Sequence, residues 1–378
     1  MQRVVALPVR QLVLIGTRRA PGRLARVNTQ AIQGAHLVGS VNLPDAESVF
    51  RTVSTHLGDR MHRIPDGEVG ERFYWIQFQT KRFDTMAGLS RIPVEPFYIR
   101  GVFDGRPFVI DDGVSADDLV FPSLGYADAA LESYATFDRM RAAGEIAEGT
   151  RFQVSLPTPA AIVGAFVVAE HRAAFEPAYE RALFGELQRI VDGIPHDSLA
   201  IQWDTAVEFA LLESANIRSH HAIVPWFDDV LGGVVERAVR QAAAVPSDVE
   251  VGYHLCYGDV EEAHFVQPTD AGHLADVVSG VLAAAPRPIS WFHLPVPIER
   301  DDAAFFAPLA VVDVPEKTEL YLGLLHHEDG VEGAERRIAA ATAVQPRFGV
   351  ATECGFGRGP SERTTELLDL HAATTQAW

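Results

Sequence analysis

Residues 250–257 read Glu250-Val251-Gly252-Tyr253-His254-Leu255-Cys256-Tyr257. A short β-rich run over Glu250–Leu255 closes on two metal-ligating residue types, His254 and Cys256, spaced i, i+2. Side chains at that spacing share one face of a strand, so both donors can reach one ion. Imidazole and thiolate together suit a borderline-soft cation such as zinc. Taken alone, the triplet reads first as a buried cysteine beside a satisfied histidine. The pattern around it reverses that reading.

Seven further runs of the same kind stand along the chain: Ala35–Val41, Arg60–Ile64, Phe152–Leu156, Leu199–Trp203, Ile289–His293, Leu320–Leu325 and Phe348–Thr352. Between them lie stretches with apolar residues three and four apart, the period of an amphipathic helix. These predict helices from Asp45 to His56 and over Gly70–Phe83, Leu131–Ala143, Ala173–Val191, Asp228–Ala244, Asp270–Ala284, Val331–Ala343 and Ser361–Thr374. Asp45, Asp270 and Ser361 stand where N-caps belong. Eight strands alternating with helices predict an α/β fold, a closed (β/α)8 TIM barrel, with an open doubly wound sheet as the alternative. Residues 35–378 form one catalytic domain in this reading and 1–34 an N-terminal extension. Strands 2 and 3 are separated by a long insertion, about 84–150, whose Pro-, Gly- and Asp-rich part is expected to pass over the barrel mouth.

In such a barrel, function gathers at the C-terminal strand ends. Those ends offer Ser40, Glu68, Asp204, His254 with Cys256, His293, His326 with His327, and Glu353 with Cys354. The chain has only two cysteines, and both fall on this rim. His254, Cys256 and Cys354 are therefore candidate metal ligands. His293 is the expected fourth, with Glu299, Glu262 and His264 as alternatives and an open position equally normal in a catalytic site. Glu68 and Asp204 are read either as backbone caps or as a carboxylate pair that binds a substrate ammonium group. His326 or His327 is a candidate proton donor or acceptor, because imidazole titrates near neutrality.

Composition narrows the partners. A formal charge of −19 over 378 residues argues against nucleic acid, whose phosphates need clustered Lys and Arg. No apolar run reaches the ~18 residues that span a bilayer. Two cysteines make no disulfide framework, so a reducing cytoplasm is expected. Residues 1–44 hold six arginines and no acid, which suits a targeting segment, an ordered extension or an early start codon.

Set side by side, these strand ends resemble the C-terminal catalytic barrel of cobalamin-independent methionine synthase, in the superfamily that includes uroporphyrinogen decarboxylase. Val38-Gly39-Ser40 with Pro44 is similar to the family's opening segment, whose serine helps hold an amino-acid carboxylate. Asp66-Gly67-Glu68 and Gln202-Trp203-Asp204 resemble the two strand ends whose acids meet the substrate amino group. His254-Leu255-Cys256-Tyr257 and Glu353-Cys354-Gly355 match the two zinc motifs. There are departures: His293 stands where the family has a glutamate ligand, and His326-His327-Glu328 replaces its Asp-x-His. The resemblance covers the catalytic barrel alone, so an N-terminal half that completes a folate site is not expected. The resemblance implies a Zn2+-dependent enzyme that activates a small, amino-acid-like thiol for methyl or alkyl transfer with an alkyl donor, without folate-dependent methionine synthesis. A metal-independent decarboxylase or lyase, and a non-enzymatic zinc- or thiol-binding protein, are the alternatives.

Overall fold

The computed structural model describes residues 32–214, 223–258, 264 and 267–377. Most of the expected N-terminal extension, and Glu262, lie outside them. The framework is a seven-stranded parallel sheet: β1 (Arg63–Pro65), β2 (Arg151–Pro157), β3 (Leu199–Asp204), β4 (Glu250–His254), β5 (Trp291–Pro295), β6 (Glu319–Leu325) and β7 (Gly349–Thr352). Each strand pairs in parallel with the next, in chain order. The strands are near-continuous apolar runs because both faces are covered, which is what a parallel sheet wrapped in helices requires. The fold is TIM-barrel-like.

The expected first strand, Ala35–Val41, is not a ladder but a bridging segment. Ala35 bridges to Val350 of β7, and Ser40 bridges to Gly67 just beyond β1. The His36 amide donates to Val350 O at 2.9 Å and the Val41 amide to Gly67 O at 3.0 Å. Gly34, at φ 83, bends the chain at its start. The second strand also begins later than the sequence suggested, because Gly58–Arg60 continues the preceding helix as a 3-10 turn.

Of the three expected caps, one caps its helix through its side chain. Asp45 caps Ala46–Leu57 by accepting from the Ser48 amide at 2.7 Å. Asp270 falls one residue short of the expected position: Ala271 is the N-cap of Gly272–Ala284, and Asp270 accepts from the Gly272 amide at 2.8 Å. Ser361 holds the N-cap position of Glu362–Thr374 without making a capping bond. The expected helix Gly70–Phe83 is broken into a 3-10 turn, Gly70–Tyr74, and a short helix, Gln79–Phe83, with Trp75 between them at φ 53. Between β1 and β2 also lie two small antiparallel hairpins, pairing Leu89–Arg91 with Phe108–Ile110 and Tyr98–Ile99 with Phe103–Asp104. Helix Tyr126–Ala142 packs against helices Ala46–Leu57 and Arg172–Gly193. The last part of the stretch read as insertion therefore belongs to the helical layer.

Register arranges the interior in levels. At the N-terminal end of the sheet, Arg63 is fully buried, 3.0 Å from Glu250 and 2.7 Å from Glu319, with its guanidinium over the Trp291 ring. Above it, Gly252 faces Trp291, and a Cβ on that glycine would press into the indole. At the C-terminal end Asp204 is level with His254, and His254 with His293. That level is the site.

Candidate metal centre

His254 ends β4, Cys256 follows two residues on, and Cys354 follows β7. Their ligand atoms lie within 4.8 Å of one another. The sulfurs are 3.8 Å apart and unlinked, and Cys354 Sγ is 3.7 Å from His254 Nε2. Donors on a tetrahedral zinc, at about 2.3 Å for sulfur and 2.05 Å for nitrogen, sit about 3.8 Å (S to S) and 3.6 Å (S to N) apart. The donor set thus fits zinc in chemistry, and both spacings from Cys354 fit it in geometry. Gly258, at φ 84, turns the chain so that its amide donates to Cys256 Sγ at 3.3 Å. The Arg358 guanidinium lies 3.9 Å from Cys354 Sγ. Both contacts favour thiolate.

His293 does not join this set. Its Nε2 is 2.9 Å from the Thr352 carbonyl, which only accepts, so Nε2 carries the hydrogen. Burial pushes His293 down to about 3, so the ring is neutral and its Nδ1 offers a lone pair. His254 Nδ1, 2.7 Å away, must then be the donor. The His254 lone pair is left on Nε2, facing the sulfurs. The residue expected as fourth ligand therefore sits behind the first one and fixes its tautomer, as partners of metal-bound histidines do. Replacing His293 with alanine is expected to weaken metal binding about 10- to 100-fold. Chelator competition on the purified protein reads this directly, and His293→Gln, which can both accept and donate, should recover part of the loss. Two of the other expected alternatives lie within the described residues. His264 is ion-paired with Glu353 at 2.9 Å, and Glu299 is exposed.

Two cavities meet at the thiols. The larger, about 860 Å³, is lined at one end by Ser40, Glu68, Asp204, His254, both cysteines and Arg358. The smaller, about 160 Å³, is lined by His264, His326, His327, Glu353 and Arg358 as well as the cysteines. His326 donates through Nε2 to Val296 O at 2.9 Å, and burial lowers its pKa. His327 pairs with Glu366 at 2.8 Å. Both histidines thus line the smaller cavity, on the side away from Glu68 and Asp204.

The two acids are held differently. Asp204 accepts from Gln202 Nε2 at 2.8 Å and from the Trp75 side chain, while Gln202 Oε1 accepts from His36 at 2.8 Å and Trp291 at 3.2 Å. Burial, then the neighbouring Glu68 charge, holds Asp204 well above the usual carboxylate range. Glu68 stands in a left-handed conformation, φ 51, after Gly67 at φ 81. Its amide donates to Asp66, which also takes two bonds from Arg72 at 3.1 and 2.7 Å. Arg72 is therefore committed to the turn. Burial pushes Glu68 up to about 7, against the opposing charges of Arg72 and Arg358. Ser40 Oγ accepts from the Gly357 amide at 3.2 Å, which ties the opening segment to the loop of Cys354. A Cβ on Gly67 would lie 2.7 Å from Val49 Cγ2 at a φ that L side chains rarely adopt. Gly67→Ala is expected to cost about 1–3 kcal/mol in urea unfolding, because strain and clash add.

A TIM-barrel-like α/β fold with a His-Cys-Cys donor set at the C-terminal end of its sheet is the class these observations define. Among solved structures the chain is similar to a B12-independent methionine synthase from Shewanella sp. W3-18-1 in complex with selenomethionine, with a TM-score of 0.58 and 12% identity, covering 91% of this chain and 96% of that one. It is also similar to a methyltransferase from Methanosarcina mazei, with a TM-score of 0.50 and 11% identity, covering 91% and 94%. At such identities the likeness is one of fold, and it is the fold the strand-end motifs led us to expect. No protein-family model and no curated protein matches the chain.

Proposed function

We propose that the protein is a zinc-dependent enzyme that activates a small, amino-acid-like thiol for methyl or alkyl transfer. The observation that carries this reading is the clustering of His254 Nε2, Cys256 Sγ and Cys354 Sγ within 4.8 Å of one another, with both spacings from Cys354 at tetrahedral distances, beside a substrate-sized cavity. Zinc held there would supply the charge that favours thiolate over thiol at neutral pH. In the transfer, the substrate sulfhydryl loses its proton and sulfur bonds to the alkyl carbon of the donor. The bond from that carbon to its leaving group breaks, the electron pair going to the leaving group; the reverse direction cleaves a thioether.

The chain's own side chains set the geometry. Glu68 and Asp204 receive the substrate ammonium, and Ser40, whose oxygen is held by the Gly357 amide, donates its hydroxyl proton to the carboxylate. His326 or His327, in the smaller cavity, passes a proton to or from solvent. The selenomethionine in complex with the Shewanella protein supports an amino-acid-like ligand. We also read residues 33–41 as the eighth stave that closes the barrel, with the hairpins before Tyr126 as the insertion over its mouth. Two cysteines that form no disulfide suit a reducing cytoplasm.

A metal-independent decarboxylase would leave the thiols incidental, which their spacing opposes. A purely structural zinc site would be closed by a fourth protein ligand, and none of the described residues supplies one. Metal analysis followed by thermal shift with homocysteine tests the proposal. One equivalent of zinc and a rise in melting temperature are expected. Turnover by metal-free protein, or indifference of the zinc-loaded protein to every amino-acid thiol, would reject it.

A further inference from the structure

We infer that the compound exchanging its alkyl group with the thiol carries a bulky apolar body, a long hydrocarbon or aromatic group, rather than a polyanionic one. The inference rests on the sulfur chemistry proposed above and adds the substrate class. A small amino-acid thiol fills only a minor part of the 860 Å³ cavity, whose size is that of sites for much larger molecules.

What surrounds the rest is mostly apolar. Beyond the end that holds Glu68, Asp204 and the cysteines, the wall runs over Trp75, Ile99, Ala161, Ala165, Val168 and Val207. Helix Pro159–Phe166 presents alanines here instead of larger side chains, which keeps the space open. The arginines on this part of the wall do not form an anion site. Arg172 spends its guanidinium on three main-chain carbonyls, Val167, Gly164 and Val224, at 3.0–3.1 Å. The Arg100 guanidinium lies over the Tyr74 ring, 5.8 Å from its centroid. Arg358 belongs to the metal end, near Cys354. Clustered, outward-facing cations are what a polyanion needs, and this wall lacks the cluster among its described residues.

The apolar character continues past the mouth. Phe97, which lines the cavity, is 52% exposed, and its hairpin neighbours Tyr98 and Val102 are 61% and 53% exposed. Large side chains standing out together beside a cavity mark a surface that is covered in use. An apolar group reaching from the sulfur end would run out along this rim.

Calorimetry on the zinc-loaded, full-length protein with S-methyl-, S-butyl- and S-octyl-homocysteine tests the inference, with pteroyl-triglutamate as the polyanionic comparison. Affinity is expected to rise about three- to fourfold per methylene until the chain passes the rim. Ala165→Trp, which fills the wall, should abolish that rise and leave S-methyl-homocysteine binding unchanged. Val168→Glu provides a second variant if the first does not fold. Equal affinity along the series, or tighter binding of pteroyl-triglutamate, overturns the apolar assignment while the thiol reading stands. Failure of every thioether and of homocysteine itself to bind the zinc-loaded protein overturns the thiol reading and this inference with it.

Discussion

Cys256→Ala protein, purified in the presence of zinc, is expected to hold less than about a tenth of an equivalent of metal, with affinity lower by about a thousandfold or more. The described residues offer only three donors, and the substitution leaves His254 and Cys354, too few to retain zinc against buffer and chelator. Alkyl transfer should fall with the metal. Cys354→Ala should behave the same way, and the double variant should be no worse than either single one, because the donors act as a unit. The fold should survive: Cys256 lies at the rim, beyond the end of β4, and loses one sulfur atom from its packing. Circular dichroism and the unfolding midpoint separate loss of metal from loss of structure. Full zinc content in Cys256→Ala, or undiminished turnover without metal, would end the zinc reading.

Much of this site is legible in the chain, for a physical reason. A strand in a barrel delivers its last inward residues to one rim, so strand-end chemistry can be read from local patterns alone. That logic brings out His254, Cys256, Cys354, Glu68, Asp204 and Ser40, and all of them line the larger cavity. What local pattern does not carry is register between strands. His293 looks like a ligand because the apolar run Ile289–His293 closes on it, yet β5 continues to Pro295 and the level of His293 opposite His254 makes it that residue's hydrogen-bond partner. Trp75 escapes notice within a helical pattern that breaks so that its side chain can meet Asp204. His36 and Gln202 lie 166 positions apart in sequence, and only the fold makes them a pair beneath that acid. The first strand fails as a ladder because single bridges, not continuous pairing, join it to its neighbours.

Glu68→Gln should stabilise the protein and cripple it at once. Two carboxylates, both buried, share the end of the larger cavity, and burial holds Glu68 up to about 7. Its pKa is raised above the unfolded value, so the native state is favoured fully below that value and loses this advantage as pH rises through about 7. A permanently neutral glutamine avoids the loss. At pH 8 the variant is expected to be more stable than the parent by roughly 1–3 kcal/mol, with little difference near pH 4.5. Ligand binding should move the opposite way. An ammonium group needs the ionised carboxylate, so the parent's affinity for an amino-acid thioether should fall about tenfold per pH unit below 7 and level off above it. The variant should bind about a hundredfold more weakly at pH 8, with a flattened pH profile, because the cation loses its nearest counter-charge in a buried setting. Urea unfolding and calorimetry across pH 5–8 read both arms. A destabilised variant that still binds would mean that Glu68 is a backbone cap, and the ammonium would then need another partner. The opposing signs are the test, because a residue kept for structure alone does not improve the fold when its charge is removed.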